Sequence, residues 1–195
     1  MPQEGLPMSA TTPSADEVYR LYKGNSPFGG EQCFADFLNQ SLRDGVRLGL
    51  PWLSASQQLD ALIANSVAKS PMTLFRATVD HFVAPYISGG LLVYPAYMST
   101  STDQRSIQRH FATAFRGVIA ALLRIECPVG LPALDMESEA SFGGHELEVL
   151  LPRDAQFEIR LESDTADQAQ ISAATSAIYA KSFTSLRTYS LRYVA

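Results

Sequence analysis

The chain has 195 residues, 46% of them hydrophobic and 18% charged, proportions that suit a globular protein able to bury a core without disulfide or metal staples. Its 20 acidic residues outnumber 15 basic ones for a formal net charge of −5, and the basic residues form no stripe that would neutralise a phosphate backbone, which argues against a nucleic-acid partner. Cys33 and Cys127 lie far apart with no companions at metal-ligand spacing and read as two separate thiols. No apolar run approaches the roughly 20 residues needed to cross a bilayer, so no membrane span is expected.

In chain order, residues 1–15 are rich in Pro, Ser and Thr and read as a disordered lead-in; they lack the basic-then-apolar pattern of a secretory signal peptide. Three helices are predicted next. A short one over 16–23 carries Val18, Leu21 and Tyr22 on one side. A second over 32–46 sets Phe34, Phe37, Leu38, Leu42 and Val46 at three- and four-residue steps. A third begins at Ser54 as N-cap, with Leu59, Leu62, Ile63 and Val67 on its apolar face. Strands are predicted at 72–79, 96–99 and 116–127. A strand–turn–strand pair follows over 146–161 around Pro152-Arg153-Asp154, and 188–194 is a closing strand. The segment 163–182 reads equally as loop or helix. Helices first and strands afterwards predict an α+β domain with mainly antiparallel sheets over 16–195.

Three stretches could carry chemistry. In Ser141-Phe-Gly-Gly-His-Glu-Leu-Glu-Val-Leu-Leu, strand alternation would put Glu146 and Glu148 on one face and Leu147, Val149 and Leu151 on the other. Two adjacent carboxylates suit acid/base work or a cation; read alone, they better suit a charged strand edge that discourages aggregation. Arg76, within Leu74-Phe75-Arg76-Ala77, is costly to bury unless paired, and could face a phosphate or serve as a structural partner for an acid. Tyr97-Met98-Ser99-Thr100-Ser101-Thr102-Asp103, read alone, is better suited to a helix cap or turn.

Taken together and in order, an aromatic-Arg strand, an apolar-Ser-Thr-Ser strand and an aromatic-x-x-x-Glu-x-Glu strand resemble the arginine-serine-glutamate class of mono-ADP-ribosyltransferases. That class includes bacterial binary toxins, C3-like exoenzymes, type III effectors and vertebrate ecto-enzymes. Upstream, Leu38-Asn39-Gln40-Ser41-Leu42-Arg43-Asp44-Gly45 is similar to the N-x-x-L-R-x-G helix of the class, so the resemblance covers roughly 16–161. It implies two packed antiparallel sheets with an N-terminal helical lobe and an NAD cleft between the sheets.

By position, the resemblance makes Glu148 the catalytic glutamate that holds the nicotinamide-ribose 2′-hydroxyl and stabilises developing positive charge. Ser99 becomes the serine that orients it, and Arg76 the grip on the NAD phosphates. Ala77, Thr100 and Ser101 complete the NAD contacts. Glu146 becomes the carboxylate that orients an acceptor arginine, and Phe142, Gly143 and Gly144 the turn that meets the target protein. The implied partners are NAD, consumed as substrate, and an unidentified target protein. The implied protein is a monomeric secreted effector or toxin acting in the cytosol of a target cell, with no metal and no membrane contact.

Two departures stand out. The class usually has Gly where Ala77 stands, and residues 103–114, which would carry the loop over nicotinamide, match poorly. Phe111 and Phe115 could line the pocket or pack in the core. The residues also leave open a binding module that has lost catalysis, or an NAD glycohydrolase with water as acceptor. His81, His110 and His145 have no ligand spacing, and the Gly-Gly pairs fit neither a dinucleotide fingerprint nor a phosphate loop.

Overall fold

The computed structural model describes residues 13–30, 32–111, 118–137 and 147–195. The chain divides into two compact units, residues 1–62 and 63–195.

In the first unit, helix α1 (Ala15–Gly24) starts where the Ser14 hydroxyl accepts the Glu17 N–H at 3.2 Å, with Asp16 and Glu17 in the positive first turn. It stops at Asn25, whose φ of 44° is a left-handed state that asparagine tolerates. The same Asn25 begins α2 (Phe34–Arg43): its Oδ1 accepts the N–H groups of Ala35 and Asp36, while its Nδ2 donates to Asp36. One side chain thus joins two helices. Because Cys33 gives no side-chain cap and Gly45 turns the chain at φ 66°, α2 is shorter than the 32–46 expected. Helix α3 (Trp52–Ala64) begins two residues before Ser54, directly after Pro51, so the expected N-cap lies inside the first turn. Trp52 packs among Phe28, Phe34 and Phe37, with ring centroids 4.3–5.5 Å away. Gly29 is obligatory there: φ is 61°, and a Cβ would sit 2.9 Å from the indole nitrogen.

The second unit carries nine strands among the described residues: β1 (Met72–Val79), β2 (Ile87–Ser88), β3 (Leu91–Tyr94), β4 (Met98–Ser101), β5 (Val118–Cys127), β6 (Leu134–Asp135), β7 (Glu148–Leu151), β8 (Ala155–Thr165) and β9 (Phe183–Tyr193). Their hydrogen-bonded order is β2-β3-β8-β9-β5-β1-β4-β7-β6. All pairs are antiparallel except β5–β9. The α+β class and the mainly antiparallel character hold. The two expected sheets are the two sides of a seam, since β1 and β4 meet at a single registered pair, Phe75↔Ser101. The undecided segment 163–182 contributes the end of β8, helix α4 (Gln168–Thr175), capped by Asp167, and the short α5 (Ala177–Ala180).

The two faces of β1 have different neighbours. Val79, with Phe75 and Ala77 partly buried beside it, joins Ala120, Leu122, Leu186, Ile171 and Phe111 in an apolar cluster. Arg76 lies in the opposite row with Leu123 of β5 and Tyr189 of β9. That face curls. Strand β3 is four strands from β1 in the order, about 19 Å across a flat sheet, yet the Arg76 guanidinium carbon is 5.8 Å from the centre of the Tyr94 ring.

Candidate active site

Three adjacent strands, β1, β4 and β7, carry Arg76, Ser99 and Glu148. The β4–β7 ladder pairs Ser101 with Glu148 and Ser99 with Leu150, so Ser99, Ser101 and Glu148 share one side of it. Arg76 reaches across the seam from β1, and its Nη1 donates to the Ser99 carbonyl at 2.7 Å. The guanidinium lies over the buried ring of Tyr94, and among the described residues no carboxylate forms an ion pair with it. A half-buried cation held by a carbonyl and a ring keeps most of its five N–H donors for an anion. The Tyr94 hydroxyl is itself buried and has no hydrogen-bond partner among the described residues.

The other members of the Ser-Thr-Ser stretch hold the scaffold. Thr100 points to the opposite side, where its hydroxyl donates to the Val149 carbonyl at 2.6 Å and ties β4 to β7. The Ser101 hydroxyl lies 2.8 Å from that of Ser106 and accepts the Asp103 N–H, closing the turn that follows β4. The stretch is therefore both the strand and the turn that its hydroxyls suggest. The Ala77 side chain packs against the apolar cluster, so only its main chain could meet a ligand on the Arg76 side.

Glu148, half-buried, opens β7. Its N–H donates to Glu137 Oε1 at 3.3 Å and its carbonyl accepts the Met136 N–H. Glu137 was not singled out in the sequence, because nothing local links it to a residue eleven positions on. The strand alternation read over 146–151 needs correction: Leu147 has φ 50°, is 47% exposed and lies outside the strand, so the shared face cannot be extended back through it from Glu148. Glu146, Phe142, Gly143, Gly144, His145 and Phe115 lie outside the described residues.

Other candidates settle into the scaffold. Phe111 packs edge-on against Phe183 in the core. Asp80 is a structural acid: its carboxylate accepts the Arg187 Nη1 and the Tyr189 hydroxyl, each at 2.6 Å, and Arg187 also binds Asp164. Burial, then the bond to Asp80, pushes the Tyr189 phenol up to about 12. Cys33 is an exposed and Cys127 a buried free thiol, and burial raises the latter. Among the described residues no group of three or more His, Cys, Asp or Glu could hold a metal ion, and no helix is long and apolar enough to cross a membrane.

A family model described as ADP-ribosyltransferase exoenzyme matches residues 35–181. Several solved structures share the fold. Plx2a, an ADP-ribosyltransferase toxin from Paenibacillus larvae, is 17% identical with a TM-score of 0.59 over 93% of this chain and 86% of its own. C3stau2 from S. aureus, solved with NAD, is 18% identical with a TM-score of 0.53 over 95% and 90%. The ADP-ribosyltransferase Vis, solved in complex with agmatine, is 19% identical with a TM-score of 0.52 over 94% and 87%. No curated protein matches the sequence. With a family model spanning most of its length, the chain belongs to the ADP-ribosyltransferase exoenzyme family, and its reaction is the NAD-dependent transfer of ADP-ribose.

Proposed function

We propose that this transferase modifies arginine side chains of a target protein, with Arg76, Ser99 and Glu148 as the NAD-handling residues and Glu146 as the carboxylate that serves the acceptor. The meeting of Arg76, Ser99 and Glu148 on three adjacent strands carries this reading. The set fits NAD: a half-buried arginine with no carboxylate partner among the described residues suits a pyrophosphate, and a half-buried carboxylate two strands away suits a developing positive charge.

NAD supplies a ribose–nicotinamide bond whose cleavage leaves positive charge on the ribose, as in glycoside hydrolysis. Arg76 grips the phosphates and fixes how far the ribose enters. Ser99 orients Glu148, which holds the ribose hydroxyl and faces the charge as it forms. At about 4 Å and an effective dielectric near 20, such a pair contributes roughly 4 kcal/mol, close to a thousandfold in rate. Thr100 and Ser101 act by holding β4 to β7 and to its turn, and Ala77 through its main chain. Free guanidinium stays protonated and is a poor nucleophile; Glu146 aligns it and takes a proton as the new bond forms. That Vis is solved with agmatine, a guanidine compound, favours arginine as the acceptor class. Phe142, Gly143 and Gly144 meet the target protein.

The family model takes in parts of both compact units, and residues 16–195 work as one transferase domain behind the 1–15 lead-in. The protein acts as a monomeric secreted toxin in the cytosol of a target cell. Incubation with labelled NAD and a cell lysate should label one or a few proteins. Glu146→Ala should lose that labelling and keep much of the nicotinamide release; labelling that persists would overturn the arginine assignment. Nicotinamide release without labelling by the parent protein would make it a glycohydrolase instead.

A further inference from the structure

We infer that Tyr94 is a positioning residue for Arg76: its aromatic face holds the guanidinium against the Ser99 carbonyl, so that the remaining N–H groups meet the NAD phosphates already aligned. The inference rests on Arg76 as the phosphate grip.

The first support is geometric. The guanidinium carbon is 5.8 Å from the ring centre, within the roughly 6 Å over which a cation is drawn to an aromatic face. Its Nη1 is at the same time tied to the Ser99 carbonyl at 2.7 Å. An arginine held below by a ring and at one end by a carbonyl has given up much of its rotamer freedom before any ligand arrives. A free arginine would lose that freedom on binding, at the expense of affinity.

The second support is that the ring is anchored without help from Arg76. Tyr94 pairs with Ala155 on β8, its carbonyl accepts the Asp154 N–H at 2.8 Å, and Tyr86 meets its ring edge-on at 6.0 Å. Only 1% of Tyr94 is exposed. The ring is thus fixed by contacts that do not involve Arg76.

The third concerns the hydroxyl. A buried tyrosine ordinarily finds its oxygen a partner, yet among the described residues this oxygen has none. The contact with Arg76 is made by the face of the ring, and burial keeps water from weakening it.

The test replaces Tyr94 in the full chain by phenylalanine carrying none, one or three ring fluorines, a series that drains charge from the aromatic face while nearly keeping its shape. KM for NAD and kcat are read from nicotinamide release. The KM should climb with fluorination to roughly tenfold above the parent value, with kcat and thermal midpoint nearly constant. Tyr94→Leu should raise KM similarly if it folds, and Tyr94→Phe should recover most of that loss. A KM that stays flat along the series while Arg76→Lys raises it would overturn the platform and leave the role of Arg76 standing. A large KM rise in Tyr94→Phe itself would also overturn it, since the hydroxyl would then be the working group. If Arg76→Lys leaves KM unmoved, the phosphate grip fails and the platform with it.

Discussion

The sheet of the second unit has two parts built on opposite plans. From β8 through β9 and β5 to β1 the strands are eight to eleven residues long and paired along most of their length, and the central β5 is buried on both faces over residues 120–123. From β1 across to β4 the join narrows to one registered pair, and the strands beyond it have only two to four residues each. The long slab supplies cohesion. The seam supplies polar side chains, because where a ladder is interrupted an arginine can reach a neighbouring carbonyl and a carboxylate can stay half-exposed.

If that division is right, damage to the seam should spare the fold and damage to the slab should spare the chemistry. The largest effect is expected at Glu148: Glu148→Ala should slow both ADP-ribosyl transfer and nicotinamide release roughly a thousandfold, with a thermal midpoint near that of the parent. A comparable loss of stability would show that the seam is structural after all. Leu191→Ala, in the middle of the slab and 1% exposed, should cost about 2–5 kcal/mol in denaturant unfolding. The folded fraction should keep its KM for NAD.

A smaller effect concerns Tyr189, whose phenol is held up to about 12 by burial and by Asp80. In the unfolded chain this group loses its proton near pH 10, so above that pH the unfolded state binds fewer protons than the folded one. Stability should therefore fall as pH rises from 10 through about 12, on the order of 2 kcal/mol for this residue. Tyr193, also raised by burial, adds to the same decline. Urea unfolding across this range should show a shallower loss in Tyr189→Phe; an unchanged slope would remove Tyr189 from the account. Smallest is Thr100→Val, which deletes the bond to the Val149 carbonyl and should cost about 1 kcal/mol. Because that bond ties β4 to β7, turnover should drop by more than the change in folded fraction explains.

The legible parts of the sequence were those governed by neighbours along the chain. The apolar steps of α2 and the buried rows of β1 and β5 depend on residues a few positions apart. Short strands β2, β3 and β6 escaped, because two to four residues carry too little periodicity to stand out. Leu147 misled for a related reason: its type suits a strand, yet its backbone takes a positive φ just outside β7.

Residue types and spacing alone determined that this chain folds as an α+β protein, and the order of its arginine, serine and glutamate motifs pointed to the family. Tertiary structure alone decided that β1, β4 and β7 are neighbours, that Asp80 is enclosed by Arg187 and Tyr189 more than a hundred positions away, and that Tyr94 lies under Arg76. The reason is physical. Propensity and periodicity act over a turn of helix or a few residues of strand, whereas strand order and curl are settled by how whole apolar faces can be buried at once.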